Sequence, residues 1–83
     1  MITELKDTVE LMNSSDYKER FKAEYYQLKI RRDKLLNMCL AWDRNELSFT
    51  PTCSRDTYEA QLNAMNDYLL ILEDRARIEK VDL

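Results

Sequence analysis

Asp43-Arg44-Asn45-Glu46-Leu47-Ser48-Phe49-Thr50-Pro51-Thr52, residues 43–52, decides how this chain folds. Pro51 forces extended geometry on Thr50 and lacks the N–H that a helical ladder needs, so the flanking stretches cannot join into one rod. The chain is predicted to turn here. Leu47 and Phe49 are large apolar groups in an otherwise polar connection, and they are expected to tuck against the helix ends as a plug.

Upstream of the turn, Tyr17, Phe21, Tyr25, Leu28, Leu35, Cys39 and Trp42 recur at helical spacing, with the seam interrupted near Arg31 and Arg32. A cation at the interruption must be paired, reach water or point into an anion pocket. Ser15 or Asp16 is the expected cap, and from a cap at Asp16 the Glu19 side chain can return a hydrogen bond to the backbone. Downstream, Ser54 caps a second helix with Asp56 in its first turn, where a carboxylate meets the positive end of the dipole. Tyr58, Leu62, Met65, Leu69, Leu72 and Ala76 then alternate steps of four and three without a miss. A second stripe of Ala64, Tyr68, Ile71 and Ile78 lies beside the first. It makes the apolar face wider than one partner helix covers.

Before the hairpin, Ile2, Leu5, Val9 and Met12 describe a short helix with one narrow stripe and Thr3 as its cap. The predicted fold class is therefore all-α: a long antiparallel αα-hairpin preceded by a short N-terminal helix, assembling into a homo-oligomer. One domain, residues 1–83, divides into a short helix (1–13), a first long helix (16–43), a loop (44–53) and a second long helix (54–80). With Trp42 set near Arg55, facing residue numbers sum to about 97. Arg20 then lies within reach of Glu73 or Asp74, and Glu24 within reach of Arg75 or Arg77, as interhelical ion pairs.

Composition narrows the chemistry. The 83 residues include no glycine, no histidine and one proline. Without glycine, phosphate-cradling loops that need positive φ and close backbone approach are excluded. Without histidine there is no Ser-His or Cys-His catalytic pair, and two cysteines alone cannot complete a zinc shell. No catalytic residue, metal site or cofactor is expected, and the chain reads as a non-enzyme. A chain of this size hides only about 60% of its unfolded surface on folding, so partner surface is expected. No apolar run approaches the length that spans a bilayer. The acidic start Met1-Ile2-Thr3-Glu4-Leu5-Lys6-Asp7 lacks the order of a signal peptide, so cytoplasmic residence is expected, with Cys39 and Cys53 reduced.

The net charge of −3 is unevenly spread. Residues 16–44 carry eight bases against five acids, whereas residues 45–83 carry four bases against eight acids. The acidic half would repel a duplex polyanion, so no duplex nucleic acid is expected as a partner. On the basic helix, Lys22, Tyr26, Lys29 and Arg32 or Asp33 share helical spacing and set an aromatic ring between cations. Such a face suits a small phosphate-bearing ligand with a base to stack, although a charge-rich stretch also describes an ordinary solvated side. Lys22, Tyr26, Lys29 and Arg32 are the candidate ligand-binding residues, supported by Arg20 and Arg75.

Tyr17-Lys18-Glu19-Arg20 followed by Glu24, Leu28 and Leu35, then Thr50-Pro51-Thr52-Cys53, Gln61, Met65, Tyr68-Leu69 and Leu72-Glu73-Asp74-Arg75, form an ordered set of loose motifs over about residues 16–80. This set resembles a family of short phage and prophage proteins related to an uncharacterised open reading frame of the first cultured crAss-like phage. The resemblance implies phage origin and an α-hairpin, and it carries no catalytic residues across. Similar small oligomeric hairpins from phages include sponges that sequester the cyclic nucleotide messengers of CBASS and Thoeris immunity, an analogy at the level of fold. The resulting expectation is a phage protein that counters host immunity by trapping a nucleotide messenger in a basic intersubunit pocket in the host cytoplasm. The alternative is an adaptor that inhibits a host or phage protein through its second apolar face.

Overall fold

The computed structural model describes residues 1–83 and is all-helical. A 3₁₀ turn, Leu5–Thr8, runs into the short helix α1, Val9–Met12; α2 spans Tyr17–Asp43 and α3 spans Arg55–Glu79. The long helices pack antiparallel in a molecule of 43 × 24 × 18 Å.

Four contacts fix the register of the hairpin. Lys18 Nζ donates to the Lys80 carbonyl at 3.0 Å, Tyr25 Oη to Glu73 at 2.7 Å, Arg32 to Asn66 at 2.7 Å and Arg55 to Asp43 at 3.1 Å. Facing residue numbers thus sum to 98 along the whole hairpin, one more than expected. The shift arises because Asp43, rather than Trp42, meets Arg55. Trp42 instead packs edge-to-face on Tyr58, with ring centres 6.0 Å apart, and closes the turn end.

Between the helices lie Phe21 and Tyr25 of α2 and Leu69, Leu72 and Ala76 of α3, completed by Val81 beyond the α3 terminus. Leu72 and Cys39 are fully buried. Every buried α3 residue belongs to the regular stripe predicted for it. Leu28, Leu35 and Trp42 of the α2 seam are half-buried, and Tyr17 is exposed.

Both long helices begin on the expected caps. The Asp16 carboxylate accepts from the Lys18 N–H at 2.9 Å and Ser54 Oγ from the Thr57 N–H at 3.2 Å. Glu19 does not reach back to the backbone. Its carboxylate accepts from Ser14 Oγ at 3.1 Å, and Ser14 Oγ in turn accepts from the Asp16 N–H at 3.0 Å. Both long helices end on a left-handed residue, Asn45 with φ 59° and Lys80 with φ 58°. The next N–H reaches back five residues at each end: Glu46 to Ala41 at 2.9 Å and Val81 to Ala76 at 2.8 Å. These are Schellman ends built without glycine, so Asn45 and Lys80 accept a conformation that a Cβ disfavours.

The N-terminal segment seats on its own α2 by a different residue than its stripe predicts. Val9 and Met12 are exposed, whereas Thr8 is buried, donating to the Leu5 carbonyl at 2.7 Å and accepting from Gln27 Nε2 at 2.9 Å. A 3₁₀ opening rotates the face set by helical spacing, and a doubly bonded threonine fills the contact. The expected Thr3 cap is also displaced, since Asp7 Oδ2 accepts from the N–H groups of Thr3 and Glu4, both at 3.0 Å. Of the predicted loop plug, Leu47 is half-buried but Phe49 is exposed.

The predicted interhelical ion pairs are not formed. Arg20 lies about 100° around α2 from Phe21 and turns to the Ser14 carbonyl at 2.9 Å, while Arg75 and Arg77 find Glu79 and Asp74 on their own helix. Glu24 accepts instead from Tyr68 Oη. Partners one turn away on the same helix cost less side-chain ordering than partners across the hairpin.

Candidate functional site

The antiparallel packing leaves an open groove of about 520 Å³ along one side of the hairpin. Tyr25, Lys29 and Arg32 come from α2 and Asn66, Leu69, Leu70 and Glu73 from α3. Residues 25, 29 and 32 recur at four and three, so one face of α2 presents all three. Across the groove, 66, 69, 70 and 73 repeat the pattern with reversed direction. Arg32 and Asn66 therefore mark one end and Tyr25 and Glu73 the other, about 10 Å apart along the axis.

At the first end the Arg32 guanidinium is held on two sides. Nε donates to Asp33 at 2.7 Å and Nη1 to Asn66 Oδ1 at 2.7 Å. Its planar fork is thereby oriented with Nη2 outside both contacts, free to donate to an anionic acceptor such as a phosphate oxygen. Lys29, in the middle of the groove, is exposed and forms no ion pair. At the other end the buried Tyr25 donates to Glu73 Oε2 at 2.7 Å. Burial, followed by that hydrogen bond, pushes the Tyr25 phenol up to about 12, so it remains a donor through the neutral range. Leu69 and the exposed Leu70 supply an apolar floor.

Only Lys29 and Arg32 of the six predicted residues meet in this groove. Lys22, seven residues before Lys29, stands on the same side of α2 but beyond the groove's lining. Tyr26 is half-buried, packs against the core and meets Tyr25 edge-on with ring centres 5.2 Å apart, so its ring is not a free stacking platform. Arg20 belongs to a separate shallow cavity of about 320 Å³ between the N-terminal segment and α2, together with Glu24, Gln27 and Arg31. Arg75 lies over the Phe21 ring, 5.0 Å from its centre, and pairs with Glu79 at 2.8 Å.

Tyr25, Asn66, Leu70 and Glu73 were missed because α2 alone does not reveal what α3 brings opposite. The register rule falls one residue short of them, setting Tyr25 against Leu72 and Arg32 against Met65, each next to the residue that the structure places opposite. A second exposed surface lies on α3, where Tyr68, Ile71 and Ile78 of the second stripe remain uncovered. No helix is long and apolar enough to cross a membrane.

Comparison with known proteins adds one match. Residues 15–78 match the family model described as Sequestin, and the chain belongs to that family. The match spans α2, the connection, α3 up to Ile78 and every residue of the α2–α3 groove, and leaves out the N-terminal segment. No curated protein and no solved structure matches the chain.

Proposed function

From membership of a family named for sequestration, we propose that the protein is a non-catalytic binding protein of phage origin that sequesters a cyclic nucleotide or related nucleotide second messenger and so counters host immunity. One observation carries this reading. An unpaired Lys29 stands beside a pre-oriented Arg32 in a groove contained wholly in the family-matched segment. The cations take the phosphates, the amide of Asn66 adds a polar contact, and the leucine floor accepts the base. Binding is reversible, in the cytoplasm of the host cell, and needs no cofactor.

The reading includes a homo-oligomer. Ile71 is 58% exposed and Ile78 62% exposed on a stripe continuous with Tyr68, and a second hairpin laid on this stripe would remove it from water. Calorimetry against a panel of cyclic di- and trinucleotides and cyclic ADP-ribose isomers tests the function. A binder is expected whose affinity falls at least tenfold in Lys29→Ala, with helicity and assembly unchanged. No binding to any member of the panel, with a host protein recovered instead, overturns it.

The same exposed stripe favours a second reading, a helical adaptor that inhibits a host or phage protein. In that case Ile71→Glu abolishes activity and Lys29→Ala leaves it intact.

A further inference from the structure

The groove is not uniformly basic, and its one carboxylate is placed where it can discriminate. Glu73 lies in the lining with Lys29 and Arg32, yet it forms no ion pair with either. Its Oε2 atom is occupied by the Tyr25 hydroxyl at 2.7 Å, which fixes the carboxylate and leaves Oε1 without a protein donor. Arg32 already faces Asp33, so its charge is partly compensated before any ligand arrives. A bare polyphosphate entering here meets an uncompensated Lys29, a shared Arg32 and a like-charged Glu73. That is a poor site for an inorganic anion.

We infer that Glu73, held by Tyr25, accepts a hydrogen bond from a ribose hydroxyl and makes the groove select ribonucleotides over both inorganic polyphosphate and deoxynucleotides. This rests on the reading of the groove as a nucleotide site and adds the specificity element to it. Tyr25 and Lys29 are four residues apart on α2, about 6 Å along the axis, and Glu73 faces Tyr25. One helical turn is the scale that separates a phosphate from the hydroxyls of its own ribose. A phosphate on Lys29 and Arg32 therefore brings the hydroxyls of its ribose to the level of Glu73. A carboxylate oxygen accepts and cannot donate, so it rewards a hydroxyl and penalises a phosphate oxygen at the same point. Loss of the hydroxyl leaves that acceptor to be desolvated without a partner, which is how a polar site rejects a close analogue.

The test is an NMR titration of the full chain with ADP, 2′,3′-dideoxy-ADP and pyrophosphate, following the amides of Lys29, Arg32 and Asn66. The wild-type chain is expected to bind ADP about tenfold more tightly than either of the other two. In Glu73→Ala that preference is expected to vanish, with pyrophosphate binding more tightly than before. Tyr25→Phe, which keeps the ring and the Glu73 charge, is expected to retain a preference for ADP. Equal affinity of the wild-type chain for ADP and the dideoxy analogue overturns the role of Glu73 while leaving the nucleotide site standing. So does a preference that survives Glu73→Ala. If none of the three probes perturbs these amides, the nucleotide reading itself falls and this inference falls with it.

Discussion

Arg32 and Asn66 meet across the hairpin, with Nη1 donating to Oδ1 at 2.7 Å, one of the four contacts that fix the register and the one that holds the guanidinium at the groove. Asp33 holds the Nε edge from the same helix at 2.7 Å. The arginine is ordered before a ligand arrives, so little of its rotamer entropy remains to be lost on binding.

That posture makes Asn66→Asp informative. A carboxylate at position 66 would pair with Arg32 on its second side and compete directly with a phosphate. The expected result is an affinity for ADP lower by about tenfold, or about 1.4 kcal/mol, with thermal stability unchanged or slightly raised. An unchanged affinity by the same NMR titration would show that Arg32 does not contact the ligand.

Tyr25 links the core to the groove and predicts a pH dependence. Its pKa is raised in the folded chain, from an ordinary 10.0 to about 12, by burial first and then by the Glu73 carboxylate. A raised folded value means that the native state holds this proton more tightly than the unfolded chain does. The contribution to stability is therefore complete below about pH 10 and is lost as the pH rises from there through 12. Urea midpoints measured between pH 9 and pH 11 should fall more steeply for the wild-type chain than for Tyr25→Phe.

Lys80 offers a stabilising change. It occupies the left-handed region at φ 58°, which costs a residue with a Cβ about 1–2 kcal/mol, and its useful contact to Lys18 is made by its carbonyl. Lys80→Gly relieves that cost but adds unfolded-state freedom, for an expected net gain of about 0.5–1 kcal/mol. Asn45→Gly should gain less, because asparagine tolerates this region better. Urea denaturation of both variants measures the difference.

Leu72 sits at the centre of the interface between the long helices and is fully buried. Leu72→Ala is expected to cost about 2–5 kcal/mol. A chain of this length has a total stability on the order of 4–12 kcal/mol, so the variant should be marginally folded. Circular dichroism in increasing urea should show its midpoint displaced far more than that of Leu70→Ala, whose side chain lies largely in solvent.

The sequence is legible where short-range rules act alone. Asp16 and Ser54 cap as their types dictate, Pro51 lies in the connection, and the alternating fours and threes of α3 all turn inward or to its margin. It is less legible where two preferences compete. Thr8 displaces Val9 and Met12 because the first turn is 3₁₀, and Glu24 takes Tyr68 rather than an arginine because each arginine has a nearer partner. The candidate site was half visible. Lys29 and Arg32 declared themselves by spacing, while Tyr26 satisfied the same spacing and went to the margin of the core.

By itself the sequence determined an all-helical hairpin, its turn and its principal seam, since propensity, capping and periodicity are properties of neighbours along the chain. It also determined that any chemistry here works without glycine loops or histidine. Only the tertiary structure decided which cations share a surface and what faces them. That outcome depends on a register between residues more than thirty positions apart, set by the ends of the turn at Asp43 and Arg55 and carried up both helices to Glu73.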